Sequence, residues 1–187
     1  MKSDQQLFLF KIKKSVLETF SIIDLLFIAL LALSLTYCTK SPGIIKPESK
    51  YSSTLSEGIV FSREGNPQFV KRITGLAGRE PWGRWSDQGE VVIEFAEPLP
   101  PKNYIFRLEA KGFGSNIGAN TQVIIGSDVI NIVLQSDPEK FTLPVDVKAS
   151  LSQIKIVLAA PSSPNSLDSN NPDVRRLGIG LITLSIL

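Results

Sequence analysis

Beyond residue 57 the chain repeats one pattern, a short run rich in β-branched and aromatic residues followed by a cluster of Gly, Pro, Asn or Asp. That rhythm predicts strands joined by turns. Segments 58–62, 68–73, 91–95, 104–110, 121–125, 129–134, 140–143, 154–159 and 178–186 carry it. Alternation is plainest in Tyr104-Ile105-Phe106-Arg107-Leu108-Glu109-Ala110. There Tyr104, Phe106, Leu108 and Ala110 share one face, Arg107 and Glu109 the other, so one side packs and the other is wetted. Gly126-Ser127-Asp128, set between two apolar runs, signals a hairpin. Beyond Tyr51 no helical periodicity lasts long enough for a substantial helix. Strands this short and this regularly interrupted predict an all-β fold, an antiparallel β-sandwich. A jelly-roll-like arrangement fits better than an immunoglobulin-like one, because the Cys-Trp-Cys pattern is missing.

The pattern is different before residue 40. Residues 20–38 read FSIIDLLFIALLALSLTYC, apolar apart from Asp24 and a few hydroxyl groups, and follow the basic cluster Lys11, Lys13 and Lys14. At about 1.5 Å per residue, a helix of this run matches a bilayer core of about 30 Å. The preceding lysines place Met1 on the cytoplasmic side and Asp24 at that interface. The expected organisation is therefore a cytoplasmic segment 1–19, a transmembrane signal anchor 20–38, a Pro- and Ser-rich linker 39–55 and an exported sandwich domain 56–187. Two variants compete with the anchor. Cleavage as a signal peptide would need small residues, and Leu35-Thr36-Tyr37 supplies few. Lipidation at Cys38 would put the lone thiol to use, but bulky Tyr37 stands where such signals carry a small residue.

Composition then removes classes of chemistry. Formal charge is +2, from 20 Lys and Arg against 18 Asp and Glu. The basic residues are scattered among acidic ones, so no nucleic-acid-reading face is expected. With no His and one Cys, the chain builds no Ser-His-Asp or Cys-His triad, no imidazole base, no internal disulfide and no zinc site of those residues. No cofactor or resident metal is expected, and no catalytic residue is assigned.

The densest unusual segment is Gly78-Arg79-Glu80-Pro81-Trp82-Gly83-Arg84-Trp85-Ser86-Asp87, which holds both tryptophans of the chain. It reads as a loop. An indole can stack on the apolar face of a pyranose while Arg and carboxylate groups bind hydroxyls or a phosphate, so Arg79, Glu80, Trp82, Arg84, Trp85 and Ser86 are candidate ligand-binding residues. The alternative is a plug, with Trp82 closing one end of the sandwich and Glu80 paired to Arg84. A second polar loop, residues 168–178, offers Asp173 and Arg175, either as further ligand contacts or as a buried ion pair that fixes the loop. Asp168, Asn170 and Asp173 also carry oxygens of the kind Ca²⁺ takes, though without EF-hand spacing. Gly112-Phe113-Gly114 has no helix after it and reads as a turn rather than a phosphate loop. Glu94 and Glu97 read as strand-face residues rather than paired catalytic acids.

The blocks GREPWGRWSD, VVIEFAEPLP, KGFGSN and PSSPNSLDSNNPDVRRLGIGLITLSI, in that order, resemble a β-rich accessory domain of unknown function found attached to bacterial membrane phosphoglycerol transferases and related envelope glycosyltransferases. The resemblance covers residues 56–187 and singles out Arg79, Glu80, Trp82, Gly83, Arg84, Trp85 and Ser86, then Asp173, Arg175, Leu177 and Gly178. It implies a periplasmic module on an inner-membrane anchor that binds or positions an envelope glycan, or a transferase partner. Neither the length nor the histidines of a metal-dependent transferase domain are present, so no enzyme activity is implied. The competing expectation is a structural protein-interaction domain with no ligand site.

Overall fold

The computed structural model describes residues 49–187. The anchor 20–38, its cleavage and lipidation variants at Cys38, and most of the linker lie outside the described residues. Among the described residues no helix is long and apolar enough to cross a membrane.

The strands run β1 (Lys50–Tyr51), β2 (Ile59–Val60), β3 (Asn66–Pro67), β4 (Val70–Thr74), β5 (Leu76–Glu80), β6 (Gly83–Ser86), β7 (Glu90–Leu99), β8 (Lys102–Gly112), β9 (Asn120–Ile125), β10 (Asp128–Val133), β11 (Glu139–Val147), β12 (Leu151–Val157) and β13 (Ile179–Ile186). One short helix, α1 (Pro164–Leu167), interrupts the last loop, capped by Ser163 with Pro at its first turn. Each segment with the strand pattern is a strand. The end of the expected linker is not a linker: β1 pairs with β3 in parallel, Tyr51 is buried and Leu55 packs on the core. The folded unit spans Pro47–Leu187.

Two sheets hold the fold. One has the order β10-β9-β12-β7-β4; the other has β11-β8-β13-β6-β5, with β2 on β13. Their ladders are antiparallel. From β6 on, the chain changes sheet at every connection except the β9–β10 hairpin. That hairpin turns on Gly126-Ser127, with Gly126 at φ 64° and no non-glycine residue at positive φ, the pattern of a II′ turn with Gly first.

The sheets face each other across one apolar cluster. Phe106, Leu108, Leu143, Ile179, Leu181 and Leu184 come from one sheet, Val91, Ile93, Val123, Ile125, Ile154 and Ile156 from the other. Burying each such side chain contributes about 1.5–3 kcal/mol. In β8 the predicted alternation is complete: Tyr104, Phe106, Leu108 and Ala110 are buried, while Arg107, Glu109 and Lys111 point outward. That parity sets the outer face of the six-stranded sheet, where the candidate residues meet.

Candidate functional site

The segment read as a loop is a hairpin. β5 and β6 pair through Glu80↔Gly83 and Arg79↔Arg84, with Pro81-Trp82 at the turn. Trp85 lies opposite Gly180 of β13, and Gly180 lies opposite Lys111 of β8. These three form one row across the outer face. Neither indole belongs to the core cluster, so Trp82 does not plug the sandwich.

Gly180 makes room for the aromatic cluster. A Cβ there would stand 2.7 Å from Trp82 Cη2 and 2.8 Å from Trp85 Cζ3. With hydrogen in that place, both rings lie down on the sheet. Their centroids are 5.0 Å apart at an interplanar angle of 72°, and Phe113 meets Trp85 edge-on at 5.6 Å. Lys111 Nζ lies 3.8 Å from the Trp82 centroid and 5.1 Å from that of Trp85, a cation held by ring faces. Both indoles are half-buried.

A polar rim joins the two candidate blocks. Trp82 Nε1–H donates to Glu80 Oε2 at 3.0 Å. Arg175 Nη1 approaches Glu80 Oε1 at 3.8 Å and is itself clamped by Asp173, with Nη2 to Oδ2 at 2.6 Å and Nε to Oδ1 at 3.0 Å. The guanidinium hydrogen bonds hold the Asp173 carboxyl below its ordinary range, helped by the Arg175 backbone N–H. Asp173 in turn raises Arg175, with Glu80 and Asp87 adding to the effect. The Asp173–Arg175 pair is not buried: the two side chains keep 25% and 38% of their accessible surface. Water therefore screens it, and its main effect is to order the loop.

The remaining candidates take other positions. Glu80 pairs with Arg175 and not with Arg84, whose Nε donates to Ala77 O at 2.9 Å. Arg79 turns away toward Ser62 O and Glu64. Ser86 is wholly buried, and its hydroxyl oxygen accepts from Gly178 N at 2.9 Å and Ile179 N at 3.1 Å. It pins the start of β13 beneath the indoles, out of a ligand's reach. Glu80, Trp82, Trp85, Asp173 and Arg175 thus share one place; Arg79 and Ser86 do not. Asp168 accepts from Asn170 N at 3.0 Å, and Asp173 is committed to Arg175, which leaves neither aspartate aimed at a common cation.

The chain matches, over residues 44–187, the family described as Domain of unknown function (DUF7024). It belongs to that family. The DUF7024 domain is similar to phosphoglycerol transferase I of Citrobacter koseri, 32% identical over 135 residues, which is 71% of this chain and 18% of that protein. The Salmonella typhi protein of the same name is 31% identical over the same shares. The chain therefore spans less than a fifth of the length of these relatives. Among solved structures, a family 29 carbohydrate-binding module superposes with a TM-score of 0.44 at 12% identity, covering 69% of this chain and 88% of that one. BiXyn10A CBM1 gives 0.44 at 11%, covering 72% and 98%.

Three residues of this DUF7024 site were not singled out from the sequence: Lys111, Phe113 and Gly180. Lys111 continues the wet face of β8 that Arg107 and Glu109 begin, and that alternation was its signal. Gly180 had none, because only the register of β13 against β6 and β8 brings it under the indoles.

Proposed function

We propose that this DUF7024 chain is a membrane-anchored accessory module that holds a glycan at the bacterial cell envelope, beside a transferase that modifies it. The observation that carries the reading is the pair Trp82 and Trp85, laid on the outward face of a sheet over Gly180 and rimmed by Glu80 and Arg175. Half-exposed rings outside the core match the apolar face of a pyranose, and the charged rim matches its hydroxyls. Glu80 and Asp173 are already engaged by Trp82 and Arg175, which supports binding rather than acid–base catalysis. Relatives named phosphoglycerol transferase I support a setting in which phosphoglycerol groups are handled. The apolar run 20–38 supports anchorage in the inner membrane with the sandwich in the periplasm.

The test is a titration of the full chain, in detergent micelles, with gluco-oligosaccharides while following tryptophan emission. Both tryptophans of the chain lie in the site, so the signal is local. A saturable shift lost in Trp85→Ala is expected. A flat titration from a folded sample overturns the reading.

A protein-interaction role without a ligand has one observation in its favour. Val129 and Val133, on edge strand β10, remain 54% and 41% exposed. Co-purification of a transferase that survives Trp85→Ala but is lost on Val129→Lys would establish that role instead.

A further inference from the structure

The row Trp85–Gly180–Lys111 is the first of three on this face. The second is Thr183–Glu109–Lys140 and the third Ser185–Arg107–Thr142. Rows follow one another along β8 every two residues, about 6.6 Å, so the third lies about 13 Å from the indoles. The second and third rows line an open groove of about 410 Å³. Its polar lining is the hydroxyls of Thr142, Thr183 and Ser185, the cations Arg107 and Lys140 and the Glu109 carboxylate, with Leu108 and Phe141 beside them. Thr183 Oγ1 donates to Glu109 Oε2 at 3.3 Å, while Arg107 and Lys140 form no ion pair among the described residues. Three cations, Lys111, Lys140 and Arg107, thus face the single carboxylate of Glu109, so the face keeps an excess of positive charge.

We infer that the groove of Arg107, Lys140, Thr142 and Ser185 is a subsite for a phosphate ester carried on a saccharide whose ring rests on Trp82 and Trp85. The inference rests on the reading of the indoles as a sugar platform. A guanidinium with an adjacent ammonium and two hydroxyls suits a phosphate's several acceptor oxygens, and a planar fork beside a point charge is a common way to hold one. A neutral glycan would need no unpaired cations there. The distance along β8 sets the geometry: the substituent lies one or two rows from the stacked ring, on the same chain.

Calorimetry on the full chain in micelles of neutral detergent tests this with three probes: a gluco-oligosaccharide, the same oligosaccharide bearing phosphoglycerol, and free glycerol phosphate. The substituted sugar should bind about tenfold tighter than the plain one, a margin that shrinks at high salt. Arg107→Gln with Lys140→Gln should remove the margin, leaving plain-sugar affinity and circular dichroism unchanged; each single change should remove part of it, and Arg107→Lys should retain more than Arg107→Gln. Equal affinity for the two sugars in the wild type, or a margin that survives the double substitution, overturns the subsite and leaves the indole platform standing. Binding of neither sugar overturns both. Free glycerol phosphate binding as tightly as the substituted sugar overturns the assignment to a saccharide-borne phosphate.

Discussion

On the outer face of the five-stranded sheet, Glu94 holds Arg72 and reaches Lys71 at 3.7 Å, and Glu90 lies 3.3 Å from Lys155. On the outer face of the other sheet, Arg107 and Lys140 form no ion pair among the described residues and Lys111 rests on two indoles. Both faces obey the same alternation, buried aliphatics inward and polar residues outward. They differ in what the outward residues do for one another. Glu90 and Glu94 of β7 lie among cations that neutralise them, with Val92 between. On this face the charges are matched, and only the exposed Val129 and Val133 of its β10 edge are left without a polar answer. A face with half-exposed rings, unmatched cations and a groove offers a ligand what the protein does not itself satisfy.

The difference can be broken from beneath. Ser86→Ala would strip the acceptor from the Gly178 and Ile179 amides, two buried donors under the aromatic face, and should cost about 3 kcal/mol in denaturant unfolding. A loss well under 1 kcal/mol would mean that water or a rearranged backbone replaces the hydroxyl. Gly180→Ala comes next. Its methyl would intrude on both rings, so we expect a red-shifted tryptophan emission, sugar affinity reduced about tenfold and stability lowered by about 1–3 kcal/mol. Unchanged emission would show that the indoles do not rest where the glycine leaves room.

Two smaller effects sharpen the contrast. Glu94→Gln on the matched face should lower stability only slightly, since the pairs it breaks are solvent-screened, and should leave sugar titrations untouched. Its carboxyl is held below the ordinary range chiefly by the Arg72 hydrogen bond, so the wild-type contribution is present at neutral pH and fades only in acid. The smallest effect is at the rim. Because Asp173 is depressed in the folded state, its clamp on Arg175 is fully present above the ordinary Asp range and lost as pH falls through its lowered value, on the acid side of that range. Tryptophan emission, which senses Glu80 and hence Arg175, should shift in that window, and Asp173→Asn should show the shifted spectrum already at pH 7. Coincident titrations of wild type and variant would remove Asp173 from the rim.

Much of this was legible along the chain. Strands β2, β4 and β7 through β13 all fall on segments whose β-branched and aromatic content marks them, and the Gly126-Ser127 turn falls where a glycine permits it. In sequence β5 and β6 look like a loop because Gly78, Arg79, Glu80, Pro81 and Gly83 give neither alternation nor β-propensity. They become strands at a sheet edge, where β13 pairs with β6 and β6 with β5. β1 was hidden for a similar reason: two residues in a Pro- and Ser-rich stretch become strand through pairing with β3.

The parity of each strand needed no more than the order of residues. In a pleated chain successive side chains point to opposite sides, so Phe106 and Leu108 had to be buried wherever Arg107 and Glu109 were wet. The sequence by itself also placed both tryptophans beside arginine and carboxylate. Which residues become neighbours across strands was decided only by the tertiary structure. Trp85, Gly180 and Lys111 come from three separate segments, and their row depends on register and on the bulge between Leu181 and Thr183. Arg175 reaches Glu80, and Ser86 reaches Gly178, only once β13 and the loop before it lie beside β6. Period-two alternation is a local property of a strand, whereas register is settled by the whole core at once.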